Sequence, residues 1–107
     1  MSVSTHVLDA VLGAPATGVA VTLYNAAGVE VTAATTDADG RIGSMLPHAA
    51  QAGDYRLVFD TGAYFAATGQ TGFYPEVSIT FTVTDRDAHY HVPLLLSPYA
   101  FSTYRGS

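Results

Sequence analysis

Four histidines and four arginines are the side chains here that could do chemistry near neutral pH, because the chain has no cysteine and no lysine. Imidazole alone titrates in that range without special help. His89 and His91 form a His-X-His pair, and on a strand this spacing turns two imidazoles to one face, where they could meet one metal ion. A third ligand would have to be His6, His48 or a carboxylate, and no second motif supplies it. His48, between Pro47 and Ala49, reads as a surface residue in a loop. His89 flanks the start of an extended run and reads as its cap or decoration. His6 and His91 differ, since each lies inside an extended run on its less apolar row. Either one alone would be read as a structural histidine at an interface.

Other chemistries find less support. There is no G-X-S-X-G turn to present a serine nucleophile, no thiolate, and no phosphate-cradling glycine loop. The acids Asp37, Asp39, Asp85 and Asp87 fall in turns, where local backbone bonding explains them. Arginine's planar fork suits carboxylates and planar polar ligands better than lysine's point charge. Arg56 lies within an alternating strand and Arg86 in a polar turn, whereas Arg41 and Arg105 stand beside glycines and near other polar groups. What remains is a metal-free set of imidazoles, arginines and a tyrosine. Such a set can bind a planar polar molecule and move protons around it.

The elements that must position these groups are strands. Residues 89–107 read as two extended runs joined by a turn at Ser97-Pro98. Tyr90, Val92, Leu94 and Leu96 share one row, and His89, His91, Pro93 and Leu95 share the other. The first row is core. The second carries two histidines yet also a leucine, so a partner subunit is expected to cover it. In the last run Ser102, Tyr104 and Gly106 oppose Phe101, Thr103 and Arg105. Residues 3–9 alternate likewise, with Ser4, His6 and Leu8 opposite Val3, Thr5 and Val7.

Between these ends, residues 19–24, 30–36, 55–60 and 77–84 alternate as strands, and the Asp37-Ala38-Asp39-Gly40 turn delivers Arg41 onto a short one. Residues 62–68 have helix caps on both sides and predict one short helix. Seven or eight short strands with regular turn signals predict an all-β sandwich. With 107 residues the chain is one domain. Its net charge of −5 makes nucleic acid and acidic membranes poor partners. No segment approaches a membrane span or a leader, and the end in Arg-Gly-Ser is not a Ser-Lys-Leu signal, so a cytoplasmic protein is expected.

From STHVLDAVLGAPA through DADGRIG, YRLVFDTGAYFAATGQ, FYPEVSITF and HYHVPLLLSPY to the final YRGS, essentially the whole chain resembles the transthyretin-like 5-hydroxyisourate hydrolases. The final YRGS separates those enzymes from the hormone carrier that shares their fold. The resemblance implies a sandwich of two four-stranded sheets with one short helix, assembled as a dimer of dimers with active sites where the dimers meet. It implies no metal and no organic cofactor. The family's catalytic positions fall on His6, Arg41 and His91, and its terminal motif on Tyr104, Arg105, Gly106 and Ser107. The implied reaction opens the six-membered ring of 5-hydroxyisourate with water, giving a ureidoimidazoline. His6 and His91 would position and deprotonate that water, and Arg41 would pair with the oxygen that gains charge. Tyr104 and the carboxylate of Ser107 would orient substrate or a histidine, and Arg105 either touches substrate or holds the terminus. The alternatives are a carrier that binds without reacting and a structural module.

Overall fold

The computed structural model describes residues 2–47 and 50–107; the loop histidine His48 therefore lies outside the described residues. The elements run β1 (Ser2–Asp9), β2 (Ala14–Pro15), β3 (Ala20–Asn25), β4 (Glu30–Thr35), β5 (Arg41–Ile42), β6 (Gly53–Phe59), α1 (Thr61–Ala67), β7 (Val77–Val83), β8 (His89–Ser97) and β9 (Ala100–Thr103). One sheet has the order β4-β3-β6-β7 and the other β2-β1-β8-β9, with β5 also on β1. Because β8 pairs with β1 along residues 2–9, β2 and β5 must share the opposite edge of β1. Each is two residues long, so together they occupy one strand position. The expected all-β sandwich with one short helix is thus present.

Alternation decides which side chains fill the space between the sheets. Val3, Val7, Val21, Leu23, Leu57, Phe59, Leu94 and Leu96 are all buried there, and each such side chain stabilises the fold by about 1.5–3 kcal/mol relative to exposure. Thr5 is the polar member of the β1 core row, and its hydroxyl donates to the Val92 carbonyl at 2.7 Å. This bond ties β1 to β8 at the level where the outer face carries Ser4 and His91.

The helix begins where its cap directs. The Asp60 carboxylate accepts from the Ala63 amide at 3.1 Å, and Gly69, at φ 70°, lets the chain turn away after the last turn. Tyr64 and Phe65 on α1 are buried. Tyr64 reaches the end of β1, where its hydroxyl donates to Asp9 at 2.7 Å. Asp9 also accepts from the Gln70 amide and from the backbone amides of Val11 and Leu12. Burial pushes the Asp9 carboxyl up, but its four hydrogen bonds together outweigh that and hold it below the usual carboxylate range. Burial, and then Asp9 itself, push the Tyr64 hydroxyl up to about 12.

Replacing Tyr64 by Phe leaves a buried carboxylate short of one donor. Urea unfolding at pH 7 should show a loss of about 1.5–3 kcal/mol. A folded-state carboxyl held low contributes stability above its unfolded pKa and loses it as pH falls through the lowered value. The gap between parent and Tyr64→Phe should therefore shrink below pH 4, in contrast to a simple packing defect, whose cost would stay constant with pH.

Candidate active site

The outer face of the β1–β8 pair is where the two polar rows meet. These strands run parallel, with Ser2 opposite His89, Ser4 opposite His91 and His6 opposite Pro93. On the other edge of β1, His6 lies opposite Arg41 of β5. The turn that delivers Arg41 is fixed by Asp37, whose carboxylate accepts from the Asp39 amide at 2.9 Å and the Arg41 amide at 3.0 Å. Gly40 closes the turn at φ 73°, and its carbonyl accepts from the Val7 amide at 2.7 Å. A Cβ at this position would stand 2.4 Å from the Val7 carbonyl oxygen. Only glycine can dock this turn on β1.

A cleft of about 240 Å³ opens over these strands, with Ser4, Arg41, Gly43, His89, His91 and Ser107 among its lining residues. His91 is half-buried within it. The Ser4 hydroxyl lies 2.7 Å from His91 Nδ1 and 3.0 Å from His89 Nε2. His89 Nδ1 in turn bonds the Ser2 hydroxyl. The two imidazole rings lie 6.3 Å apart and are tilted by only 15°. Burial, followed by the Arg41 guanidinium and the neighbouring imidazoles of His89 and His6, lowers the His91 pKa from its ordinary 6.5. His91 is thus a neutral imidazole at pH 7. With Nδ1 bonded to Ser4, Nε2 is the nitrogen left for a ligand.

The chain's last residues fold back onto this ring. The Gly106 amide donates to the His91 carbonyl at 2.8 Å, and a Cβ on Gly106 would come within 2.5 Å of His91 Cδ2. Arg105 lays its guanidinium 4.6 Å from the centroid of the Tyr90 ring. The Tyr90 hydroxyl is itself held by the amides of Asp85 and Thr84 at 2.9 and 3.1 Å. Arg105 and Tyr104 line a second, mostly apolar cavity of about 270 Å³, which includes Ile79, Phe81 and Val92 and touches the cleft only through His91.

Of the residues singled out in the sequence, the structure brings Arg41, His91 and Ser107 into one cleft and sets His6 beside them. It places Tyr104 and Arg105 on the other side of His91. Ser4 is a cleft residue that sequence reasoning passed over, and His89, read there as a metal candidate or a strand cap, lines the cleft as well. Alternation had put Ser4 on the His6 row, but the register that sets its hydroxyl between two imidazoles lies in no local signal. Among the described residues no three His, Cys, Asp or Glu side chains are grouped so as to hold a metal ion.

Comparison with known proteins gives this geometry a context. The family model described as HIUase/Transthyretin family matches residues 3–106. A Salmonella typhimurium protein named 5-hydroxyisourate hydrolase is 45% identical over 108 residues, covering 97% of this chain and 79% of its own. The solved structure of Klebsiella pneumoniae 5-hydroxyisourate hydrolase superposes with a TM-score of 0.92 at 39% identity, over 100% of both chains. Sea bream transthyretin in complex with thyroxine matches at a TM-score of 0.91 and 33% identity, over 99% of this chain and 95% of its own.

The contact between Gly106 and His91 can be tested without any substrate. Gly106→Ala must push the imidazole out of its half-buried seat, relieving the burial that depresses its pKa. A histidine-selective NMR titration should show the His91 midpoint moving up toward 6.5, with the fold retained. An unmoved His91 resonance would mean that the terminal segment does not press on the ring.

Proposed function

The chain belongs to the HIUase/transthyretin family, and we propose that it is a 5-hydroxyisourate hydrolase acting in urate breakdown, with 2-oxo-4-hydroxy-4-carboxy-5-ureidoimidazoline as product. The observation that carries this reading is the convergence of a neutral, half-buried imidazole with Arg41 in one cleft. Water attacks the ring carbonyl as His91 Nε2 takes its proton, the ring carbon–nitrogen bond breaks, and the released nitrogen is protonated. Arg41 pairs with the oxygen that carries charge in the tetrahedral intermediate. His6, on the same row as Ser4 and opposite Arg41, positions the water or the substrate edge. No step calls for a metal or an organic cofactor.

Ser107 forms part of the cleft wall and orients the substrate. Arg105, stacked on Tyr90, holds the terminal segment so that Gly106 and Ser107 stay against His91. Tyr104 is 59% exposed and takes up its role toward substrate in the assembled protein. That assembly is a dimer of dimers with sites where the dimers meet. The support for it is an outer row that includes half-buried Leu8 and Leu95, with exposed apolar side chains at Val11, Leu12, Tyr99 and Phe101. No helix among the described residues is long and apolar enough to cross a membrane; we place the protein in the cytoplasm.

The likeness to a thyroxine-bound transthyretin keeps one other reading in view, a carrier that binds a small molecule without reacting. His6, Arg41 and His91 on the outer face speak against it, and turnover separates the two.

The decisive assay follows the decay of 5-hydroxyisourate, generated in place by urate oxidase, by ultraviolet absorbance against the uncatalysed rate. The parent should accelerate it, and His91→Ala should lose about 10²- to 10⁴-fold in kcat. Arg41→Ala should lose about 10²- to 10³-fold, the cost of removing one oxyanion partner. No acceleration by a protein that still forms a tetramer would leave the carrier.

The pH profile carries a sign. Protonation removes the base, and a lowered pKa moves that loss to lower pH. The rate should fall as pH drops, with its midpoint below the ordinary histidine value of 6.5. A profile flat to pH 5, or a limb above 7, would take His91 out of the role of base.

A further inference from the structure

A hydroxyl has one hydrogen, and Ser4 is bonded to two imidazole nitrogens, His91 Nδ1 and His89 Nε2. It must therefore donate to one and accept from the other. When Ser4 accepts the Nδ1 proton of His91, it donates to His89 Nε2, and His89 carries its own proton on Nδ1, toward Ser2. In this state His91 Nε2 has a free lone pair. When Ser4 donates to His91, both rings carry the proton on Nε2 instead, and His91 presents an N–H to the cleft. The geometry ties the two tautomers together, so that both rings are always protonated on the same kind of nitrogen.

On the hydrolase reading above, from this coupling we infer that Ser4 is a positioning residue and proton relay, which links the buried base His91 to the exposed imidazole of His89. As water is deprotonated, its proton enters at His91 Nε2. The Nδ1 proton of His91 passes to Ser4, the Ser4 proton to His89 Nε2, and the Nδ1 proton of His89 to Ser2 and solvent. Every hydrogen is accounted for and no ring gains net charge. The reverse movement gives the His91 Nε2 proton to the departing ring nitrogen, and the chain refills from Ser2. One imidazole thereby serves as base and then as acid.

The surroundings explain why such a chain is useful. His91 faces His6 from β1, Arg41 from β5 and His89 on its own strand, with Arg105 on its far side in the second cavity. A fixed positive charge on His91 would stand beside the Arg41 guanidinium in a half-buried seat. His89 is exposed, and water screens whatever charge passes through it.

Three measurements test the relay. Ser4→Ala should lower kcat by roughly ten- to a hundredfold, with a much smaller change in KM. Ser4→Thr, which restores the hydroxyl, should recover most of the rate. The proton inventory in mixed light and heavy water should be curved for the parent and linear for Ser4→Ala, a difference that a packing defect would not produce. In the free protein, nitrogen-15 spectra of the imidazoles at pH 8 should show His89 and His91 in the same tautomer, with the match lost in Ser4→Ala. Opposite tautomers in the parent, or a Ser4→Ala enzyme with kcat within about twofold of the parent, would overturn the proposal. If the parent itself has no turnover, the hydrolase reading fails, and the tautomer spectra still decide whether Ser4 couples the rings.

Discussion

Everything at the cleft depends on the parallel pairing of β1 with β8. Eight residue pairs, from Ser2 with His89 to Asp9 with Leu96, fix one register. In that register the core rows of both strands face the same way, and so do the polar rows. A slip of one residue would turn one strand's apolar set outward, and with it break the opposition of Ser4 and His91. The core pays for the site's precision: Val3, Val7, Leu94 and Leu96 hold the register by burial, and the Thr5 bond to Val92 adds a directional lock. Parallel neighbours cannot be joined by a tight turn. Here the connection between β1 and β8 includes the whole of the opposite sheet and the helix, so the site comes into being only when the sandwich closes.

Electrostatics separates the two ends of β1. At Asp9 a buried carboxylate is surrounded by donors from Tyr64, Gln70 and two backbone amides, and the result is a stable anion that anchors α1. Along the middle of the same strand the neighbours are imidazoles and one guanidinium. In a chain with a net charge of −5, His6, Arg41 and His89 gather around His91. Burial first, and then that gathering, hold the His91 pKa below its ordinary value.

The fold was legible wherever the signal was local. Val77, Ile79, Phe81 and Val83 alternate with polar residues and form β7; Asp60 brackets α1 by its carboxylate and Gly69 by its positive φ. Row assignment also set His6 and His91 apart, and the glycine and polar neighbours of Arg41 marked it as a binding candidate. Ser4 was legible as a row member but not as a bridge, since it lies 87 positions from His91 and no periodicity reports the register of strands so distant. Alternation failed at Tyr104 and Arg105 for a physical reason. Pairing of β9 with β8 ends at Thr103, and contact resumes only at the isolated bridge between Gly106 and His91. The two residues between leave the ladder, and their side chains meet the Tyr90 cavity.

A carrier and a hydrolase can share this sandwich because its core imposes nothing on its outer face. The core rows answer to burial alone, and the outer row of the same strands is free to take serine, histidine or leucine. What converts the outer face into a reactive surface is a small number of close approaches that tolerate no side chain. Gly40 brings its turn against Val7 and so brings Arg41 opposite His6; Gly106 lies on the His91 ring and so fixes the chain's last residues beside it. A Cβ at Gly40 would push its turn off β1 and Arg41 with it, and a Cβ at Gly106 would displace the His91 ring or the terminal segment. The geometry of the outer face therefore rests on two close approaches, the Gly40 turn against the Val7 carbonyl and Gly106 against the His91 ring, as much as on the identity of its polar groups.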